Sequence, residues 1–195
     1  MLKPLKAAIA AAVLLVLFMS AQATAALWRA EETINVGAVS TGSLNMHAGN
    51  GTTSQQDYEF NELDGSNLVP GEFVQAPLTI TNAGTTDLEY NLTGASALPD
   101  SPTPADVALA DSSVLTIGTD RSAEECSMGT EQVAPLFQGP ASSGATLGDA
   151  RRLVASGDGA SFEVLCVRVE VAADAPQSAA GGQMRLVLNF TGQQR

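Results

Sequence analysis

Histidine, cysteine and clustered carboxylates do most protein chemistry, and this chain offers few of them. His47 is the single histidine, so any Ser–His–Asp relay has to run through it. It sits beside Ala48-Gly49-Asn50-Gly51, and no serine occupies the Gly-x-Ser-x-Gly turn that exposes a nucleophile. The surroundings predict a solvated histidine at the end of a strand, opening a polar loop over His47–Gln56. Asp57, Glu59, Glu62 and Asp64 could offer oxygen ligands to Ca²⁺, but their spacing is not that of an EF-hand. On a strand they read as charges that blunt a sheet edge. Asp120, Glu124, Glu125 and Glu131 form a second acidic group without a ligand pattern. Gly49–Gly51 and Gly181-Gly182 lack the spacing of phosphate-binding loops. These residues point to a chain with no catalytic site, no metal site and no cofactor.

The N-terminus bears on where the chain works. Lys3 and Lys6 precede the uncharged apolar run Ala7–Met19, and Gln22-Ala23-Thr24-Ala25 closes it with small residues. This is the pattern of a secretory signal peptide, and the run falls short of the roughly 20 apolar residues that span a bilayer. The expected division is a signal over 1–25, cleaved near Ala25, and one mature domain over 26–195. Cleavage removes both lysines, so every remaining basic residue is an arginine in a chain whose net charge is already −12. A surface this acidic argues against nucleic acid and anionic membranes as partners. The absence of mature lysine excludes Lys–Asn isopeptide cross-links. The C-terminal Asn189–Arg195 carries no hydrophobic tail or sorting signal, so no stable membrane anchor is expected. Cys126 and Cys166 are the only cysteines. In an exported chain such a pair reads as a disulfide, and the lack of Cys-x-x-Cys spacing disfavours a metal or redox pair.

The elements are strands. Val74, Ala76, Leu78 and Ile80 alternate with polar neighbours, and after Asn82–Asp87 the alternation resumes at Leu88, Tyr90 and Leu92. Side chains of a strand point to opposite faces in turn, so Pro70–Gly94 reads as an antiparallel hairpin. Pro77 has no N–H to give to a ladder and marks an edge or bulge. Further strands are expected at Thr33–Val36, Ser43–Met46, Asp57–Leu63, Ser113–Thr119, around Leu136-Phe137, at Leu153-Val154, at Ala160–Val171 and from Met184 to Thr191. Ala95–Asp106, with three prolines, reads as a loop crossing between sheets, and Ala105–Ala110 as a helical turn. Short strands with Gly/Pro-rich turns predict an all-β fold, a two-sheet antiparallel sandwich, jelly-roll or Ig-like in order.

Several short motifs occur in a familiar order: Trp28 after the signal, Gly42-Ser43-Leu44-Asn45-Met46, Leu68-Val69-Pro70-Gly71 leading to Leu78-Thr79-Ile80-Thr81-Asn82, Leu165-Cys166-Val167-Arg168-Val169, and a closing strand ending Phe190-Thr191. Together they resemble actinobacterial exported proteins with an alternate, SipW-type signal peptide, related to the TasA/camelysin group of biofilm-matrix proteins. The resemblance implies a jelly-roll-like sandwich, a dedicated signal peptidase and a role in extracellular fibres or at the cell surface. Ala23-Thr24-Ala25 suits an ordinary signal peptidase, so both peptidases stay open. The metalloprotease activity ascribed to camelysin relatives is not carried over, because the chain lacks HExxH.

The expected protein is secreted, non-enzymatic and structural or surface-associated, assembling with copies of itself. The alternative is a soluble binding module that holds a glycan or protein with the loops His47–Gln56 and Ala95–Asp106. For assembly, the freed N-terminal segment with Trp28 would donate its strand to a neighbour, with Ile34 and Val36 filling pockets between the sheets.

Overall fold

The long alternating runs fold as strands and bury the faces their pattern dictates. In the computed structural model, which describes residues 42–155 and 161–194, nine strands are seen. They are β1 Met46–Gly49, β2 Ser54–Gln55, β3 Phe73–Asn82, β4 Leu88–Ser96, β5 Ser113–Gly118, β6 Phe137–Pro140, β7 Arg151–Leu153, β8 Phe162–Val171 and β9 Val187–Gln194. Two helices interrupt them, α1 Pro104–Asp111 and α2 Ala123–Ser127. One sheet has the order β2-β1-β3-β8-β5-β6 and the other β7-β4-β9, with every pairing antiparallel. Between them lie Leu78, Ile80, Leu88, Tyr90, Leu92, Leu115, Ile117, Leu165, Val167 and Val169. The all-β, two-sheet antiparallel sandwich expected from the sequence is the fold observed.

The expected hairpin is not formed. β3 pairs with β1 and β8, whereas β4 pairs with β7 and β9 in the opposite sheet. Residues 83–87 therefore form an arch that carries the chain across the core. Asn82 supports it from inside: fully buried, it donates through Nδ2 to the carbonyls of Thr86 (2.8 Å) and Val154 (2.9 Å). Its Oδ1 accepts from the Gly84 N–H at 2.9 Å. A side-chain amide thus replaces the ladder bonds a hairpin would have used. Pro77 lies opposite Cys166 of β8, at a point where β3 is uncovered by β1, whose pairing stops at Thr79.

Other boundaries also move. The strand expected at Ser43–Met46 is displaced to Met46–Gly49, so His47 lies within β1, opposite Thr81, and not in a loop. The loop expected over His47–Gln56 shrinks to the turn at Asn50–Thr53. There Asn50 Oδ1 accepts from the backbone N–H groups of Thr52 (3.0 Å) and Thr53 (2.9 Å). Asp57–Leu63 is not a strand but ends in a 3-10 turn, Asn61–Leu63. Its apolar residues Tyr58, Phe60 and Leu63 do pack half-buried against the core, yet Leu63 is out of phase with the other two, which a straight strand does not allow. Ala95–Asp106 crosses between the sheets as expected, though β4 runs to Ser96 and α1 begins at Pro104. Thr103 and Asp106 form a reciprocal cap at the start of α1.

Candidate functional site

The sequence points to chemistry in only one pair of described residues, and they are joined. Cys126 and Cys166 form a disulfide, with Cα atoms 5.6 Å apart, and both are fully buried. Cys166 lies at the centre of β8 on the face away from the core, and Cys126 lies in α2, a single helical turn capped by Ser122 and Glu125. Glutamine side chains complete the attachment. Gln75 of β3 donates to the carbonyls of Cys126 (2.9 Å) and Thr130 (3.0 Å), and Gln132 donates to that of Cys166 (3.1 Å). The segment 120–132, short of apolar residues, is thereby held on the large sheet. Beside it the Arg168 guanidinium lies over the Phe73 ring, 3.4 Å from its centroid, and pairs with Glu170 at 2.8 Å.

A polar cluster bridges the two sheets. Glu163 of β8 accepts the Tyr90 hydroxyl of β4 at 2.5 Å and the Arg151 Nε–H of β7 at 2.7 Å, with a second Arg151–Glu163 contact closing the ion pair. Burial pushes the Glu163 carboxyl up, but the Arg151 and Tyr90 bonds outweigh it and leave the group below its usual range. Burial first, then the bond to Glu163, raises the Tyr90 hydroxyl well above its usual value. Such a cluster fixes the register between sheets. Tyr90 is fully buried within it, while Arg151 and Glu163 are partly exposed.

The expected acidic strand also resolves into structure. Glu62 accepts from Asn50 Nδ2 (2.8 Å) and from the Tyr58 hydroxyl. The Asn50 bond leads in holding its carboxyl low, while burial and Glu62 push Tyr58 up to about 12. Among the described residues no three His, Cys, Asp or Glu side chains are arranged to hold a metal ion. No helix among them is long and apolar enough to cross a membrane.

What remains is surface that could receive a partner, and the edge strands differ sharply. β2 has two residues, β6 four ending in Pro140, and β7 three of which two are arginine. Short strands, proline and charge are the usual protections of an edge. β9 has none of them: its eight residues, VLNFTGQQ, carry no charge and no proline. Among the described residues it pairs with β4 alone. Its inward Leu188 and Phe190 are only half-buried, as are Met46 and Ala48 of β1. A side chain on Gly192 would meet Leu88 and, at 3.5 Å, the Met46 sulfur, so β9 lies against β1 here. No signal in the sequence marks this edge, because strand order is invisible in periodicity. Trp28, Ile34 and Val36, the expected assembly residues, lie outside the described residues.

No protein-family model matches the chain, and a search of curated proteins finds none that matches it.

Proposed function

We propose that this chain is a secreted, non-enzymatic structural or cell-surface protein that assembles with copies of itself into extracellular fibres by strand donation. The observation that carries the reading is the edge of β9, eight residues long, free of charge and proline, and paired among the described residues with β4 alone. A strand added there gains ladder hydrogen bonds, and its alternate side chains reach the half-buried apolar strip of Leu188, Phe190 and Met46. Thr33-Ile34-Asn35-Val36 is the donor we assign, with Ile34 and Val36 as the inward pair. The disulfide, the acidic composition and the signal-like N-terminus support work outside the cell. The resemblance to TasA/camelysin-type proteins supports the fibre.

Electron microscopy and size-exclusion chromatography of the mature protein test this. Concentration-dependent fibres are expected from the wild type. Ile34→Asp with Val36→Asp should give a folded monomer by circular dichroism. Asn189→Lys with Thr191→Lys, at exposed positions of β9, should do the same by charging the receiving edge. Fibres that form unchanged in both variants would sink the assignment, and so would a wild type that stays monomeric at every concentration.

A further inference from the structure

The edge of β9 carries, besides its openness, the pattern that sets an added strand in register. Leu188 and Phe190 are its half-buried inward residues, and Val187, Asn189 and Thr191 alternate with them on the exposed face. Leu186 lies before the strand begins and Gly192 has no side chain, so within β9 large apolar contact is offered at two positions only. The Asn189 carbonyl points back towards β4, where it accepts from the Thr93 hydroxyl at 3.2 Å. Backbone groups of successive strand residues point to opposite sides. The N–H and C=O groups that face away from β4 are therefore those of Leu188 and Phe190. Residues directly opposite one another in a ladder share a face of the sheet, so an inward donor residue must stand beside an inward residue of β9.

We infer that Asn189 is the specificity-determining residue of this edge, and that it reads Asn35 of the neighbouring copy. The inference rests on the strand donation proposed above and adds its register. Ile34 and Val36 are separated by one residue, as Leu188 and Phe190 are, and every pairing in both sheets is antiparallel. An antiparallel donor has one register that sets Ile34 on Phe190 and Val36 on Leu188, and that register places Asn35 opposite Asn189. A slip of one residue turns Ile34 and Val36 to solvent. A slip of two in one direction brings the Glu32 carboxylate against Phe190. In the other direction it leaves Ile34 facing Gly192 and Leu188 facing only Ala38. Because Leu188 and Phe190 exchange the backbone bonds with the donor, Asn35 and Asn189 form the other kind of antiparallel pair, with Cα atoms about 4.5 Å apart and side chains at their closest. Each amide can then donate to and accept from the other. Neither adds charge, which suits a chain of net charge −12 pairing with its own copy.

Mature protein carrying Asn35→Cys with Asn189→Cys, assembled and then oxidised, should run as covalently linked chains of subunits on a non-reducing gel. The native cysteines are joined and buried, so they do not compete. Thr33→Cys with Thr191→Cys should link in the same way. Asn35→Cys paired with Val187→Cys or with Thr191→Cys should stay largely unlinked. Without any cysteine, Asn35→Asp should raise the critical concentration for fibres about two- to five-fold, and adding Asn189→Arg should bring it back. Fibres in which Asn35→Cys links to Val187→Cys or Thr191→Cys would overturn the register while strand donation stands. So would linkage of Thr33→Cys to Val187→Cys, which parallel pairing requires, or a failure of Asn189→Arg to rescue Asn35→Asp. A wild type that forms no fibres would overturn both.

Discussion

Removing one oxygen atom, by Tyr90→Phe, tests whether the Tyr90–Glu163–Arg151 cluster holds the sheets together. The ring stays in place, fully buried and 6.1 Å from the Phe190 ring, so packing is nearly conserved. What is lost is one hydrogen bond to a charged, partly exposed acceptor, worth about 1.5–3 kcal/mol. Glu163→Gln keeps the shape and removes the charge that Arg151 pairs with, 31 % and 19 % exposed at Arg151 and Glu163 respectively. That partial exposure screens the pair and puts its loss at about 1–2 kcal/mol, below the cost of breaking a fully buried one. Both substitutions act through one carboxylate, so the double variant should be less destabilised than the two single costs together, with a coupling of about 1 kcal/mol. Urea unfolding at pH 7 supplies all four stabilities. The pH dependence has a definite sign. The folded Glu163 carboxyl is held below its unfolded value, so its contribution is complete above the unfolded pKa of about 4.3. It fades as pH falls through the lower, folded pKa. The gap between wild type and Glu163→Gln should therefore close below about pH 4. A Tyr90→Phe protein as stable as wild type, or an additive double variant, would refute the cluster as an inter-sheet tie.

Two further outcomes follow from the interior. Asn82→Ala leaves the carbonyls of Thr86 and Val154 and the Gly84 N–H without their partner; unfolding in urea should show a loss of about 2–4 kcal/mol, and a loss under 0.5 kcal/mol would mean that the arch is held by something else. Replacing both Cys126 and Cys166 by alanine opens a loop closed across 40 residues of sequence, with an expected loss of about 4 kcal/mol; non-reducing peptide mapping of the native protein should recover the linked pair, and free thiols at both positions would contradict it.

Periodicity made the faces of the strands legible, and the partners much less so. Leu78 and Ile80, like Leu88 and Tyr90, point inward as their alternation requires. Yet the connector Asn82–Asp87 has a composition equally suited to a tight turn in one sheet or an arch between two. The choice is made by β1, β8 and β9, remote in sequence, and by where the Asn82 amide finds its carbonyls. Cys126 and Cys166 were legible because a pair allows one connection. Tyr58, Phe60 and Leu63 pack half-buried but not along the strand expected at Asp57–Leu63, and the phase break at Leu63 is the available signal.

The arch also governs the order in which the chain can fold. β3 finds its central partner in β8, pairing Phe73 with Glu170, and β4 finds its own in β9, pairing Leu88 with Gln194. β3 and β4 share no ladder and so offer no early hairpin, and each meets the loop-closure entropy of a distant partner instead. A chain ending before β8 can pair β1 with β2 and β3, β4 with β7 and β5 with β6, but it lacks the central strand that joins β3 to β5 and the strand that completes the second sheet. Refolding should therefore be slow for its size, limited by the search of β3 and β4 for strands a hundred residues away or nearly so.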